Sequence, residues 1–143
     1  MLQLVLKKKW FDMIDSGEKL EEYRELKRYW WKRIMEMPYA DQDLNILPEG
    51  GYAFKHKLVR FKCGYQKHAP EMVFKLGHVR IGRAKPEWAE GSMDKVIVLP
   101  FIKRLMVLHG QSHKLLPDDE YETLSEYLEW MRDNKKLEKS TVQ

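Results

Sequence analysis

The chain has 143 residues, 43% of them hydrophobic and 34% charged, with 12% aromatics and a formal net charge of +4. That length supports one domain with a sizeable core, and that apolar content is too high for a disordered chain. No apolar run approaches the roughly 18 residues of a membrane helix, and a single cysteine, Cys63, leaves neither an intramolecular disulfide nor a Cys/His zinc spacing.

The chain opens "MLQLVLKKKW", with apolar residues ahead of the lysines. This is the reverse of a secretory signal, so the expected location is the cytoplasm. Leu2 to Leu6 reads as a buried strand, followed by a short helix from about Lys8 to Ser16 with Trp10, Phe11 and Ile14 on one face. Gly17 stands where a left-handed residue would stop that helix. Lys19 to Glu25 is too short for another helix and reads as extended, with Leu20, Glu22 and Arg24 on one side and Glu21 and Tyr23 on the other. A second helix is expected over about Lys27 to Met37, its apolar face made of Tyr29, Trp30, Ile34 and Met37, ending before Pro38.

Residues 38 to 54 hold two prolines and a Gly-Gly pair and read as a long loop, able to cover a neighbouring site. Lys57 to Phe61, Met72 to Gly82 and Asp94 to Leu108 read as strands, the last interrupted at Pro100. From Asp118 to about Lys135 the spacing of Tyr121, Leu124, Leu128 and Met131 marks an amphipathic helix. The expected class is α+β, an antiparallel sheet or barrel flanked by helices.

Charge is unevenly placed. Between Lys55 and Lys85 nine Lys or Arg stand against one acid, Glu71, whereas from Pro117 onward four bases stand against eight acids. A basic middle suggests a polyanionic partner, although lysines also serve simply to keep a sheet soluble.

The octet "GEKLEEYR" carries Gly17, Lys19, Glu22 and Arg24 in the pattern G-x-K-x-x-E-x-R. It resembles the signature of the ASCH domain. The likeness continues through "VRFKCGY" (Val59 to Tyr65), "APEM" (Ala69 to Met72) and "IGRAKPEWA" (Ile81 to Ala89), covering about residues 2 to 103. What this resemblance implies is a PUA-like β-barrel over residues 1–110, with 111–143 as a C-terminal helical extension packed on the same domain. It further implies a cleft lined by the signature Lys, Glu and Arg that engages RNA, single-stranded nucleic acid, or a nucleoside or nucleotide. One branch of the family is similar to amidohydrolases of an acylated cytidine. There a lysine activates a threonine three residues on, but here the residue after that interval from Lys19 is Glu22, which is not a hydroxyl nucleophile.

The residue types make chemical sense without the family. Arg24 offers a planar fork of donors suited to phosphate, Lys19 a mobile point charge, and Glu22 a carboxylate to hold the fork or accept a base amino proton. A carboxylate between two cations favours binding over acid catalysis; if the protein is an enzyme, a ribonuclease or modified-nucleoside hydrolase, Lys19 and Glu22 are its catalytic candidates. A salt-bridge cluster that only closes the barrel is the plain alternative. Tyr65, Lys85 and Trp88 are the further binding candidates, a base-stacking rim beside cations. Trp10 and Trp30 read as helix-core residues and Glu18, Glu21 and Glu25 as solvated.

No cofactor or metal is expected. His56, His68, His78, His109 and His113 show no ligand spacing, and Asp41 and Asp43 read as solvated loop residues. Cys63, beside Lys62, would be reactive only if exposed cations lowered its pKa. The C-terminal helix is a candidate surface for a protein partner.

Overall fold

The computed structural model describes residues 2–91, 94–109 and 112–115. It is a mixed α+β structure in which a curled, half-barrel sheet packs against two helices. The helix expected over Asp118 to Lys135 lies outside the described residues. Among the described residues, no helix is long and apolar enough to cross a membrane.

Strand β1 (Leu2–Leu6) buries Leu2, Leu4 and Leu6 on one face, as its alternation requires. Its partner is β4 (Leu58–Cys63), and the pairing is parallel, Leu2 opposite Val59 through Leu6 opposite Cys63. Parallel neighbours need a long crossover, and the intervening segment with both helices supplies it. The sheet is therefore mixed, where the turn pattern led one to expect an antiparallel one.

Helix α1 (Lys8–Asp15) buries Trp10, Phe11 and Ile14. It stops as expected at Gly17, whose φ of +85° is a conformation that glycine adopts without a Cβ penalty. The chain then folds back on the helix, the Lys19 amide donating to the Met13 carbonyl at 2.9 Å. Strand β2 (Glu21–Glu25) follows, antiparallel to β7 (Val96–His109).

Helix α2 (Arg28–Ile34) is shorter than expected, and its buried face is rotated. Trp31, Ile34 and Met35 are each no more than 1% exposed, whereas Tyr29 and Met37 are 58% and 63% exposed. The spacing i, i+3, i+4 from Trp31 is as good a stripe as the one read from Trp30, and packing chose it. The helix ends where Met35 turns extended and bridges Phe54, after which Pro38 follows a cis peptide bond.

The 38–54 loop is packed. A 3-10 turn at Tyr39–Asp41 buries Ala40, Leu47 is 3% exposed, and Tyr52 meets Trp31 edge to face at 5.2 Å. Its glycine pair, β3 (Gly50–Gly51), joins the sheet through β6 (Arg80–Gly82).

The expected Met72–Gly82 strand is two strands, β5 (Glu71–Leu76) and β6, separated by a corner at Gly77. β7 is the reason. Its first half pairs with β2 and β6, and its second half with β5 and with β8 (Ser112–Leu115). Pro100 sits at the exchange, its carbonyl accepting the Gly77 amide at 2.7 Å, and it does not break the strand. A Cβ at position 77 would lie 3.4 Å from Pro100 and Ile102, so the corner is closely packed. Two register shifts in β5 help the sheet curl. Phe61, Phe74 and Phe101 pack together in the core with ring centroids 4.9 to 5.9 Å apart.

Candidate functional site

The turn after α1 carries Lys19 inward, and β2 then alternates beneath it. Lys19 is 1% exposed and Glu22 is 4% exposed. The Lys19 ammonium donates to Glu22 Oε1 at 2.9 Å and to the Trp88 carbonyl at 2.8 Å, and lies 4.3 Å from the centre of the Trp10 ring. Burial pulls its pKa below the ordinary lysine value, against the opposing charge and hydrogen bond of Glu22. Glu22 Oε1 also accepts the Tyr23 amide at 2.9 Å. Its other oxygen, Oε2, faces the Arg24 guanidinium at 3.5 Å.

Arg24 is the outward member of the trio. It donates to the Tyr23 carbonyl at 2.7 Å and reaches the Val5 carbonyl at 3.5 Å, while its guanidinium lies 5.0 Å from the Trp30 ring centre. Lys19 is thus locked, Glu22 is the link, and Arg24 places a cation over an indole.

These three side chains line a cleft of about 540 Å³, within the range of small-molecule sites. Its walls are aromatic: Trp10 from α1, Tyr29 and Trp30 from α2, Tyr65 from the turn after β4, and Trp88 from the 3-10 turn at Pro86–Trp88. Among the described residues, four basic side chains (Lys7, Lys19, Arg24, Arg33) and three acidic ones (Glu22, Glu25, Glu90) also line it. Charge in the cleft is nearly balanced. The basic middle segment contributes none of these cations; of its residues only Tyr65 and Ala84 reach the cleft.

The other candidates distribute as follows. Tyr65 is 86% exposed at the cleft edge. Trp88 is 8% exposed, packed with Tyr23, Ala84, Val96 and Val98, so it is a wall and a holder of Lys19 more than a free stacking platform. Lys85 does not line the cleft; its ammonium lies 4.3 Å from the Trp88 ring centre and its amide donates to the Tyr23 hydroxyl. Glu21, expected to be solvated, instead accepts from the Tyr23 hydroxyl at 2.7 Å and from Arg80 at 3.2 Å. Burial raises the pKa of Tyr23 far above the ordinary tyrosine value.

Cys63 is half-buried, and burial raises its thiol pKa, the opposite of activation. Asp43 caps its own loop by accepting the Asn45 amide. The 38–54 loop does not cover the cleft, and none of its residues line it. The contribution of α2 (Tyr29, Trp30, Arg33) is not legible in the sequence, because a stripe through Tyr29 and Trp30 reads as core while the fold buries Trp31, Ile34 and Met35 instead. The one available signal was the run of aromatics and arginines in "RYWWKR", too many large rings for one core stripe.

Compared with known proteins, the chain matches no family model, no curated protein and no solved structure.

Proposed function

We propose that the protein is an ASCH-type, PUA-like barrel that binds single-stranded nucleic acid, RNA in the first instance, by taking a base into the aromatic cleft. The observation that carries this reading is the Arg24 guanidinium 5.0 Å from the Trp30 ring centre in the lining of a cleft of nucleoside size. Aromatic walls hold a base by its faces whatever its identity, and an arginine fork beside them meets its phosphate. Support for the family comes from convergence: the octet, "CGY" and "AKPEWA" are far apart in sequence, yet each contributes residues to one cleft.

The trio fits binding better than turnover. Glu22 is committed to Lys19, the Tyr23 amide and Arg24, and Lys19 has two of its three donors engaged. The decisive experiment is fluorescence anisotropy with a labelled single-stranded RNA hexamer, comparing wild type with Arg24→Ala and Trp30→Ala. Each variant is expected to bind about ten- to hundredfold more weakly, as loss of a charged contact or a stacked base implies. Unchanged affinity in both would overturn the proposal.

A hydrolase of a nucleoside or RNA remains the second reading, favoured by one observation: burial lowers the pKa of Lys19, the first step toward a lysine base. Mass analysis of labelled RNA and acylated cytidine after incubation with the protein separates the two. Intact substrates are expected under the binding reading, and conversion that Lys19→Met abolishes would replace it.

A further inference from the structure

Arg33 stands in the wall between two concavities. It lines the aromatic cleft, and it also lines a second hollow of about 290 Å³ whose other residues are Leu2, Lys55 and His56. Its guanidinium lies 5.3 Å from the Tyr29 ring centre and 5.9 Å from that of Trp30. A planar cation lying against those two rings is therefore the common boundary of both spaces.

The second hollow lies at the C-terminal end of α2. Lys55 donates its ammonium to the Lys32 carbonyl at 2.6 Å, and His56 Nε2 lies 3.0 Å from the Arg33 carbonyl. These contacts satisfy two of the last carbonyls of the helix and fix both side chains in place. An ammonium with one donor used keeps two more for a ligand. Among the described residues, no carboxylate lines this hollow, in contrast to the cleft with its three. Two cations and a histidine around one opening, the lysine and the histidine held by the backbone, form a place for a phosphate.

We propose that the ligand is a strand of at least two nucleotides. One base occupies the cleft, the phosphodiester crosses Arg33, and the next phosphate lies against Arg33, Lys55 and His56. The inference rests on the reading of the cleft as a nucleobase site. It explains how a cleft of nearly balanced charge serves a polyanion, because the excess positive charge lies one step along the strand. It also gives the basic middle segment a part through its first residues, Lys55 and His56, and not through the cleft.

The test uses the full chain and two probes, a uridine 5′-monophosphate and a four-residue oligouridylate, titrated against wild type, Lys55→Ala/His56→Ala, and Lys55→Gln. The glutamine retains a donor for the Lys32 carbonyl while removing the charge. Wild type is expected to bind the tetranucleotide at least tenfold more tightly than the mononucleotide. The double variant is expected to keep its mononucleotide affinity, to lose about tenfold for the tetranucleotide, and to show a salt slope smaller by about 0.7 for the one cation removed. Equal affinity of wild type for the two probes would overturn the second phosphate position while leaving the cleft reading intact. Loss of mononucleotide binding in both variants would assign Lys55 and His56 to support of α2, and also overturns it. No binding of either probe by wild type would remove both readings together.

Discussion

Lys19 is nearly inaccessible, whereas Arg24, five residues on, is partly exposed in the cleft lining; the two cations of one octet have separate duties. Lys19 ties β2 to the Trp88 turn and shapes the floor between them. Removing one member of a buried pair strands the other, so Lys19→Met is expected to lower unfolding free energy by about 3 kcal/mol in a denaturant titration. The double variant Lys19→Met/Glu22→Leu is expected to recover part of that loss, because no buried charge is then left alone. A binding experiment that relies on Lys19 variants alone would confuse an altered floor with a lost contact, which is why Arg24 and Trp30 are the residues to change. Tyr23 gives a pH prediction. Its folded pKa lies above the ordinary value of 10.0. The stabilisation is complete below that value and is lost as pH rises beyond it, since the unfolded phenol ionises first. Lys19, with its pKa lowered, has the opposite sign toward 10.5. The difference between wild type and Tyr23→Phe cancels the lysine, and its denaturation midpoint is expected to shrink with rising pH above 10; a constant difference would contradict the burial argument.

At the level of elements, α2 turns two faces to two tasks. Trp31 is fully buried with its indole N–H on the Tyr39 carbonyl, while Trp30 next to it faces the cleft. Trp31→Ala is expected to cost about 3–5 kcal/mol of stability, and Trp30→Ala, at a half-buried side chain packed on the edge of the core, to lower the unfolding midpoint less than Trp31→Ala while weakening ligand binding; thermal melts beside titrations check the pair. Gly17→Ala has open space around the new Cβ, so its cost is backbone alone, about 1–2 kcal/mol. The elements legible in sequence were those with one dominant signal: β1 by alternation, α1 by its stripe and glycine stop, β2 by exclusion of a helix. α2 offered two stripes one residue apart, and only the Trp31 pocket built by Tyr39 and Tyr52 decides between them. β5 and β6 read as one strand because a corner between sheets is set by the partner strand, and Gly77 alone does not announce it.

For the whole molecule, curling of the sheet around β7 is what brings distant segments to one cleft. Residues 19 to 24, 29 to 33, 65 and 84 to 90 are joined there by topology. The octet and the aromatic-basic interleaving were legible, since residue types suffice to suggest them. The charge balance of the cleft was not, because the net charge of a segment says nothing of which faces its side chains take. The most direct measurement is a heteronuclear NMR titration of the indole N–H signals with a single-stranded RNA tetramer. Five tryptophans give a small, assignable set. The account predicts that Trp10, Trp30 and Trp88 shift together and saturate, while Trp31, sealed on the Tyr39 carbonyl, stays in place. A saturating titration in which none of the three cleft indoles moves would contradict it.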